Sequence, residues 1–312
     1  MSQNKVIVVA GPTASGKSAL AVDLAVALNG VVINADSMQV YKDMPVLSAA
    51  PTQQDKQKAP HRLFEIYDPS FKGNVVDWLV LATQEIKKAW TEHKTPIVVG
   101  GTGLYIENLI NGTTPIPETP QEIRQKVQNF TDTQGPESLW KKVKEVDEQS
   151  ALKIKPNDIS RLKRALEVFW ATGKPLSEWH KMPLVHYLPE ANFFVIKICP
   201  SVQELDQRCY ERFDKMLENG IISEVQHLYK RKLQPDLPAM KALGVPELIE
   251  YLKKKKSIYL AVQEAKLHTR QYAKRQRTWF KNRLTADFTI NKCYKGQFPP
   301  EILELLKSEA EN

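Results

Sequence analysis

Residues 6–20 read VIVVAGPTASGKSAL, and the architecture of the chain follows from them. The β-branched run at residues 6–9 is typical of a buried parallel strand. Residues 11–18 match G-x-x-x-x-G-K-[ST], and residues 19–28 have helical character. A strand, a glycine loop and a helix in this order form a phosphate-binding loop, in which backbone N–H groups and the helix N-terminus attract an anion. The stretch therefore predicts a site for a di- or triphosphate.

Two side chains of this loop have the chemistry that such a site requires. Lys17 supplies a positive charge for the phosphates, and the Ser18 hydroxyl is suited to hold Mg²⁺. The alternative is a glycine turn that arose by chance, which the flanking strand and helix argue against.

The composition places the chain among ordinary globular proteins. It has 312 residues, of which 42% are apolar and 26% charged. We expect no signal peptide and no membrane span, because the first residues are polar and no apolar run is long enough. The three cysteines lie far apart without metal-ligand spacing, which is typical of reduced thiols in a cytoplasmic protein. The net charge of +8 permits nucleic acid as a partner without requiring it.

The order of apolar runs predicts the fold class. We expect an α/β protein with a phosphate-loop NTPase-like parallel sheet core, built from residues 1–113 and 190–312. Residues 114–189 are expected to form an all-helical insertion domain, because no strand-like run interrupts them. Residues 45–73 have no period and are predicted to be irregular and exposed. The helix expected at residues 75–94 has an apolar side formed by Val76, Leu79, Val80, Ile86 and Trp90.

Asp36 follows the second predicted strand, at residues 30–34, on the edge where open α/β sheets keep their chemistry. It is a candidate general base or metal ligand, and a helix-capping role is an equally good interpretation. The next strand, at residues 96–99, runs into Gly-Gly-Thr at Gly100 to Thr102 and lacks the acid that ATP-hydrolysing phosphate-loop proteins usually carry there. This loop fits diphosphate binding at least as well as hydrolysis.

Basic side chains concentrate in three helical segments. The first, at residues 157–166, contains Arg161, Lys163 and Arg164, whose alternative role is a solvated helix surface. In the second segment, the helix predicted at residues 202–218, Arg208 and Arg212 share one face. They suit either a diphosphate or ion pairs with Asp206 and Glu211. The third segment, at residues 259–283, combines basic and aromatic side chains. This combination is typical of a nucleic-acid surface, but also of an amphipathic helix that packs its aromatic side chains inward. Its members are Arg270, Tyr272, Lys274, Arg277, Trp279, Phe280 and Lys281.

Taken in order, these segments resemble the tRNA dimethylallyltransferases (tRNA isopentenyltransferases) of the bacterial type. The matching stretches are GPTASGKS at 11–18, DSMQVY at 36–41, VGGTGLY at 99–105, residues 157–166, residues 208–220 and TRQYAKRQRTW at 269–279. The family transfers a dimethylallyl group from dimethylallyl diphosphate, with Mg²⁺, to the exocyclic amine of the adenosine 3′ of the tRNA anticodon. The resemblance implies a nucleotide-binding-type loop, binding of the anticodon stem-loop and no membrane partner, and we expect a monomer.

The resemblance also implies roles for individual residues. Asp36 would take the amine proton, Thr102 would assist near the amine and the bridging oxygen, and Arg212 would neutralise the departing diphosphate. The diphosphate would be held by Gly11, Thr13, Ala14, Ser15, Gly16, Lys17 and Ser18, with Ser18 also on the metal. The tRNA would be contacted by Asp36, Ser37, Met38, Gln39, Thr102, Arg124, Ser160, Arg161, Leu162, Lys163, Arg164, Arg270, Lys274 and Arg277, with residues 37–39 lining the pocket of the extruded adenine.

The chain departs from the family pattern at three places, and other functions compete. Residues 47–50 read LSAA where the family usually has GTAK, residues 244–247 read GVPE instead of GYKE, and residues 61–63 read HRL instead of HHL. A phosphate-loop kinase, an enzyme that prenylates free AMP and a non-catalytic RNA-binding protein are the alternatives.

Overall fold

A parallel sheet of six strands organises most of the chain in the computed structural model, which describes residues 4–297 and 299–308. The strands are β1 Lys5–Ala10, β2 Gly30–Asn34, β3 His61–Arg62, β4 Thr95–Gly100, β5 Asn192–Ile198 and β6 Phe288–Ile290. Their order across the sheet is β3-β2-β4-β1-β5-β6, and every neighbouring pair is parallel. The phosphate-loop strand β1 is therefore an interior strand, between β4 and β5.

The side chains of β1 alternate between two apolar clusters. Val6 and Val8 belong to the cluster that contains Trp78, while Ile7 and Val9 belong to the cluster on the opposite face, which contains Leu20. Because helices cover both faces of the sheet, the strand has no solvent-facing side and reads as a continuous apolar run. The predicted fold class, an α/β core with a parallel sheet, is confirmed.

The helices fall into two compact units, Met1–Ile110 with Tyr187–Asn312, and Asn111–His186. The boundaries expected from the sequence, at residues 113 and 189, differ from residues 110 and 186 by three positions each. The α-helices are α1 Lys17–Ala27, α2 Pro45–Ser48, α3 Gln53–Lys58, α4 Val75–Thr91, α5 Gly103–Asn111, α6 Gln121–Val146, α7 Glu148–Lys153, α8 Ile159–Thr172, α9 Leu176–Trp179, α10 Val202–Glu218, α11 Ile221–Lys230, α12 Val245–Leu252, α13 Ile258–Arg283 and α14 Pro300–Ser308. A short 3₁₀ helix spans Ala239–Lys241.

The prediction that residues 45–73 are irregular and exposed is wrong. This segment contains α2, α3 and the edge strand β3, and it buries Leu47, Ala59 and Leu63. Glu224 fixes α2 from its N-terminal end, by accepting hydrogen bonds from the backbone N–H groups of Val46 (2.7 Å) and Leu47 (2.9 Å). Each element is four, six or two residues long, too short to show a hydrophobic period.

The apolar face predicted for α4 is partly wrong. Leu79 and Ile86 are fully buried, but the side chains of Val76 and Val80 are 43% and 42% exposed. Trp78 is buried instead, and its indole N–H donates to the Asn34 carbonyl at 2.8 Å. This polar contact with the end of β2 helps to set the rotation of the helix about its axis.

The smaller unit, Asn111–His186, is built from α6 to α9 around its own apolar core. The core contains Val127, Leu139, Leu162 and Leu166, each with no exposed surface. The backbone at Gly135 has φ 78° and interrupts α6, as the sequence Gly-Pro predicts. No helix in the described ranges of the chain is both long enough and apolar enough to cross a bilayer.

Asp147 ties three parts of this unit together. Its buried carboxylate accepts hydrogen bonds from the Ser150 N–H (3.0 Å), the Ser150 hydroxyl (2.6 Å) and the Ser177 N–H (2.9 Å). Burial alone would raise the pKa of Asp147, but the hydrogen bonds from Ser150 and Ser177 outweigh it and hold the pKa below its usual value. The ionised form is therefore the one that stabilises the fold.

We expect Asp147→Ala to destabilise the smaller unit by about 2 to 3 kcal/mol, because it leaves buried donors on Ser150 and Ser177 unpaired. Hydrogen exchange of peptides covering α7 and α9 should accelerate roughly 30- to 150-fold, which is the same free energy expressed as a protection ratio. Since the folded pKa is lowered, this stabilisation is present at pH 7 and is lost as the pH falls through the acidic range. Asp132→Ala, at an exposed position of α6, should change exchange little.

Candidate active site

Three loops meet at the carboxyl edge of the sheet, following the neighbouring strands β1, β4 and β2. The first is the phosphate-binding loop at residues 11–16, the second contains Gly101 and Thr102, and the third contains Asp36 and Ser37. Open parallel sheets bind ligands at this edge, because the loops that leave adjacent strands converge there. The sequence-predicted side chains are thus brought together by strand order.

The phosphate-binding loop is held in a left-handed turn. Ala14 has φ 63° and Gly16 has φ 89°, and α1 begins at Lys17. A Cβ on Gly16 would lie 2.5 Å from the carbonyl oxygen of Tyr294, so this position requires glycine for both space and conformation. The Tyr294 N–H donates to the Ser15 carbonyl at 2.9 Å. The loop is therefore fixed from outside by the segment that follows β6.

The ammonium group of Lys17 is buried beside the loop and donates to the Pro12 carbonyl at 3.4 Å. Burial lowers the pKa of Lys17 from 10.5 to about 8, the nearby Asp36 carboxylate counteracts this, and the Arg212 guanidinium adds to the lowering. An anion that binds beside this buried ammonium group stabilises its charge, because the anion replaces the favourable interaction with water that burial removed.

Asp36 sits in a turn built by Asn34. The Asn34 side chain accepts from the Asp36 N–H at 2.8 Å and donates to the carbonyls of Asp36 (3.0 Å) and Leu63 (3.1 Å). One carboxylate oxygen of Asp36 accepts from the Met38 N–H at 3.0 Å. The other oxygen, Oδ2, lies 3.4 Å from where a Cβ on Gly101 would be. This second oxygen is the one directed toward the loop after β4.

Thr102 connects the loops that follow β2 and β4. Its hydroxyl accepts from the Ser37 N–H at 2.9 Å and donates to the Ser37 hydroxyl at 3.2 Å. Its own N–H donates to the Ala35 carbonyl at 3.3 Å. These hydrogen bonds consequently fix the Thr102 hydroxyl next to the loop that carries the Asp36 carboxylate.

Both arginines of α10 reach the phosphate-binding loop. Arg212 donates to the Thr13 hydroxyl at 2.7 Å and to the Ser48 carbonyl at 3.5 Å, while Arg208 donates to the Ala14 carbonyl at 3.1 Å. The alternative of surface ion pairs with Asp206 and Glu211 is therefore wrong for this pair. Burial lowers the pKa of Arg212, and Asp36 partly counteracts the effect.

The loop and α10 enclose a cleft of about 320 Å³. Its walls carry four cationic side chains and a single acidic one, Glu211. The cations are Lys17, Arg208, Arg212 and Lys215, and Ser18 also lines the cleft. In this part of the molecule the net positive lining and the backbone turn both favour a small polyanion.

Sequence reasoning missed Gln276, which contacts two of the three loops. Its side-chain oxygen accepts from the Thr13 N–H at 2.9 Å, and its amide nitrogen donates to the Gly101 carbonyl at 2.7 Å. A usable signal was present: Gln276 falls on the buried stripe of α13 with Thr269, Ala273 and Phe280, where an uncharged polar residue needs partners. The Thr13 N–H is thus directed at Gln276 and not into the cleft.

The expected role of Gln39 as a wall of the adenine pocket needs correction. Its side chain is 7% exposed, and its amide donates to the carbonyls of Ser48 (3.1 Å) and Ala49 (2.7 Å). Gln39 therefore holds the end of α2, whose Ser48 carbonyl is also the Arg212 acceptor. Ser37 and Met38, by contrast, are only half-buried at this edge.

The predicted basic segment of the smaller unit is mixed in its exposure. Leu162 is fully buried in the core of the unit, so its side chain is not available to a ligand, contrary to the expectation. Arg164 donates to the Thr119 hydroxyl at 2.7 Å, and Lys163 donates to the Gln128 side chain. The exposed positions are Ser160 and Arg161, the latter within 3.3 Å of Asp158, which caps α8. Arg124 lies 3.6 Å from Glu118 at a partly exposed position.

The predicted stripe on α13 is also only partly a surface. Lys274 and Lys281 are exposed, but Arg277 donates to the Pro200 carbonyl at 2.6 Å and Arg270 donates to the Tyr210 hydroxyl at 3.3 Å. These two arginines are half-buried and hold α13 against its neighbours. The exposed basic face instead lies on Lys274, Arg275 and Arg283, and it includes the edge of Trp279.

The fold and the site define a phosphate-loop α/β protein with a guanidinium in its anion cleft and a carboxylate and a hydroxyl on the neighbouring loops at the same edge of the sheet. Among the described residues there is no group of three or more His, Cys, Asp or Glu side chains placed to hold a metal.

Comparison with known proteins assigns the family. The sequence model of the IPP transferase family matches residues 39–283. The tRNA dimethylallyltransferase of Zymomonas mobilis is 41% identical over 280 residues, which are 90% of this chain and 88% of that protein. That of Rickettsia massiliae is 38% identical over 306 residues, covering 98% and 84%. The chain belongs to the IPP transferase family.

Two solved structures share this fold. The full-length tRNA isopentenylpyrophosphate transferase from Bacillus halodurans matches with a TM-score of 0.68 and 32% identity, over 99% of this chain and 96% of that chain. A eukaryotic dimethylallyltransferase captured acting on tRNA matches with a TM-score of 0.76 and 32% identity, over 89% and 70%.

Proposed function

We propose that this chain transfers a dimethylallyl group from dimethylallyl diphosphate to the exocyclic amine of the adenosine 3′ of the anticodon in tRNA, giving N6-(dimethylallyl)adenosine. Its homologues are tRNA dimethylallyltransferases, which supports prenyl transfer to tRNA as the reaction. The observation that carries the proposal is that Arg212 contacts Thr13 of the phosphate-binding loop and interacts electrostatically with Asp36, while Thr102 contacts Ser37 next to Asp36.

The cleft suits a diphosphate leaving group. When the allylic C–O bond breaks, negative charge grows on the bridging oxygen and must be stabilised in place. Lys17 and Arg212 supply fixed positive charge, and the loop backbone supplies N–H groups at the start of α1. Because both cations are already desolvated, little reorganisation accompanies bond breaking. The two electrons of the broken bond leave with the diphosphate.

Asp36 suits the acceptor side of the reaction. The adenine amine is a weak nucleophile, because its lone pair is conjugated with the ring, so it must lose a proton as the new C–N bond forms. We assign that proton to Oδ2 of Asp36, since Oδ1 is occupied by the Met38 N–H. Thr102 would hold the amine in line, with its hydroxyl fixed by Ser37.

Mg²⁺ is the metal we propose for this site. Ser18 stands at the start of α1, is exposed and lines the cleft, so its hydroxyl is accessible to an ion bound to a diphosphate. When bound, the ion would neutralise charge on the diphosphate oxygens. A hard cation with few protein ligands fits the donor set that the described residues offer.

tRNA is the proposed macromolecular substrate. The positions that we assign to it are the exposed Arg161 with the neighbouring Ser160 and the partly exposed Arg124 in the smaller unit, and Lys274 with the neighbouring Arg275 on α13. A base in a folded anticodon loop must be extruded to reach a carboxylate at the sheet edge, and basic and aromatic side chains favour splayed nucleotides. We propose a monomer, acting in the cytoplasm where tRNA is used.

A transfer assay tests this proposal. Purified protein, Mg²⁺, labelled dimethylallyl diphosphate and unmodified tRNA are incubated, and the RNA is then digested to nucleosides. Label in N6-(dimethylallyl)adenosine is the expected result. Label on added AMP alone would move the chain to nucleotide prenylation, and phosphate transfer from ATP without prenyl transfer would make it a kinase.

The buried Lys17 makes diphosphate binding depend on pH. With its pKa lowered to about 8, the protonated fraction of Lys17 falls from about three quarters at pH 7.5 to about one tenth at pH 9. We therefore expect the Kd for dimethylallyl diphosphate to rise roughly eightfold from pH 7.5 to pH 9, because the protein binds the diphosphate when Lys17 is protonated. Calorimetry at the two pH values measures it.

Lys17→Arg is the matched control, since a guanidinium stays charged throughout this range. The Kd of Lys17→Arg for dimethylallyl diphosphate should not rise between pH 7.5 and pH 9 as that of the wild type does, whatever its absolute value. An identical pH dependence in Lys17→Arg would assign the titration to another group.

A further inference from the structure

Gln276 makes one side chain serve two loops of the site. The nearly buried amide of Gln276 accepts from the Thr13 N–H at 2.9 Å and donates to the Gly101 carbonyl at 2.7 Å. A Cβ on Gly101 would lie 2.5 Å from the Gln276 amide nitrogen, so the loop after β4 is in direct contact with it. The amide satisfies both partners because it offers an acceptor and a donor, whereas an ionised carboxylate offers only acceptors and an ammonium only donors.

The two loops held by Gln276 belong to opposite halves of the proposed reaction. Thr13 carries the hydroxyl that accepts from Arg212, on the diphosphate side. Gly101 precedes Thr102, whose hydroxyl is joined to Ser37 next to Asp36, on the acceptor side. Other contacts hold each side together, whereas the Gln276 amide directly joins Thr13 to Gly101.

We propose that Gln276 is a positioning residue that sets the separation between the leaving diphosphate and the base that receives the amine proton. The inference rests on the proposed prenyl transfer and adds a residue to it. Transfer requires the departing diphosphate, the allylic carbon and the amine to lie in line, and misplacement by about 1 Å can cost roughly 100-fold in rate. Gln276 does not touch the reacting atoms in this role; it acts through Thr13 and Gly101.

Three variants separate this role from simple structural support. Gln276→Met keeps the length of the side chain and removes both hydrogen bonds. Gln276→Glu keeps the acceptor for the Thr13 N–H but, when ionised, has no donor for the Gly101 carbonyl. Gln263→Met is the matched control, because Gln263 is exposed on the same helix and away from the cleft. Each variant is first compared with wild type for thermal unfolding.

The measured quantities are kcat, the Kd for tRNA and the partition between transfer and hydrolysis. For Gln276→Met we expect kcat to fall about 10- to 100-fold. We expect the Kd for tRNA to stay within about twofold, as for a residue with no RNA contact. The fraction of dimethylallyl diphosphate hydrolysed without transfer should rise, because cleavage and capture are no longer aligned. Gln263→Met should match wild type in all three.

A pH series gives an independent readout through Gln276→Glu. Protonation restores an O–H donor toward the Gly101 carbonyl, so the ratio of its kcat to that of wild type should rise as the pH falls from 8 to 6. Taking the ratio removes the pH dependence that arises from groups common to both proteins. A ratio that stays flat, or Gln276→Met with normal kcat and partition, would overturn the inference.

Loss of kcat in Gln276→Met together with lowered thermal stability and an unchanged partition would also overturn it, in favour of a structural role. These outcomes differ from failure of the proposed function, in which wild type and Gln263→Met would transfer no prenyl group either.

Discussion

Asp36→Asn is expected to lower the kcat of prenyl transfer by about 10²- to 10⁴-fold, the range associated with losing a general base. Asparagine keeps the size of the side chain, and its oxygen can still accept from the Met38 N–H. What it loses is the capacity of Oδ2 to take the amine proton, so the substrates bind but the C–N bond forms slowly. Single-turnover transfer with saturating tRNA and dimethylallyl diphosphate measures the step directly.

The control for this prediction is Asp236→Asn, which changes an exposed aspartate 3.4 Å from Lys72. Surface pairs of this kind contribute little, so its kcat should equal that of wild type. The Kd of Asp36→Asn for tRNA should remain close to that of wild type. Unchanged turnover in Asp36→Asn would remove Asp36 as the base and leave it the role of closing the turn at residues 37–40 through the Met38 N–H, since no helix begins there for it to cap.

Arg212→Lys is expected to lower kcat by about 10²- to 10³-fold, comparable to removing one donor from a site that stabilises developing charge. The guanidinium contacts the Thr13 hydroxyl and the Ser48 carbonyl with two different nitrogens. A lysine ammonium is a single point on a flexible stem and does not reproduce that fork. The net charge of the cleft is preserved, so the loss would report geometry and not charge alone.

Arg231→Lys provides a comparison at a structural arginine. Arg231 bridges Asp43 (2.7 Å) and Asp68 (2.7 Å) at a partly exposed position of the larger unit. We expect this variant to lose some thermal stability and to keep its kcat. Equal kcat values for Arg212→Lys and wild type would argue against a role for the guanidinium in stabilising the leaving group.

The sequence predicted the parts of the site that one local pattern encodes. The strand, glycine loop and helix at residues 6–20 are contiguous, so spacing alone identifies them. Asp36 and Thr102 each follow a buried strand, and parallel strands deliver their ends to the same edge. Arg208 and Arg212 could be paired on a helix face, and the structure then selects the loop over the surface as their partner.

The parts that failed depend on long-range packing. Gln276 is 263 residues from Thr13 along the chain, and periodicity carries no record of which loop a buried amide will meet. Gln39 and Leu162 lie inside stretches that resemble binding motifs, yet a motif does not distinguish the side chains that face a ligand from those that hold the motif in place. In α4, Val80 has the spacing expected of the buried face but is exposed. Trp78 is buried in the core instead.

The position of β1 between β4 and β5 has a consequence for synthesis of the chain. β4 ends at Gly100 and β5 begins at Asn192, so roughly 90 residues separate the two partners of β1. At about 5 to 20 residues per second, the ribosome needs roughly 5 to 20 s to make them. During that time one edge of Val6–Val9 has no partner, and an apolar strand with a free edge is prone to pair with other chains. The edge of β1 that later pairs with β5 is therefore the part of the nascent sheet most exposed to misassociation until β5 emerges.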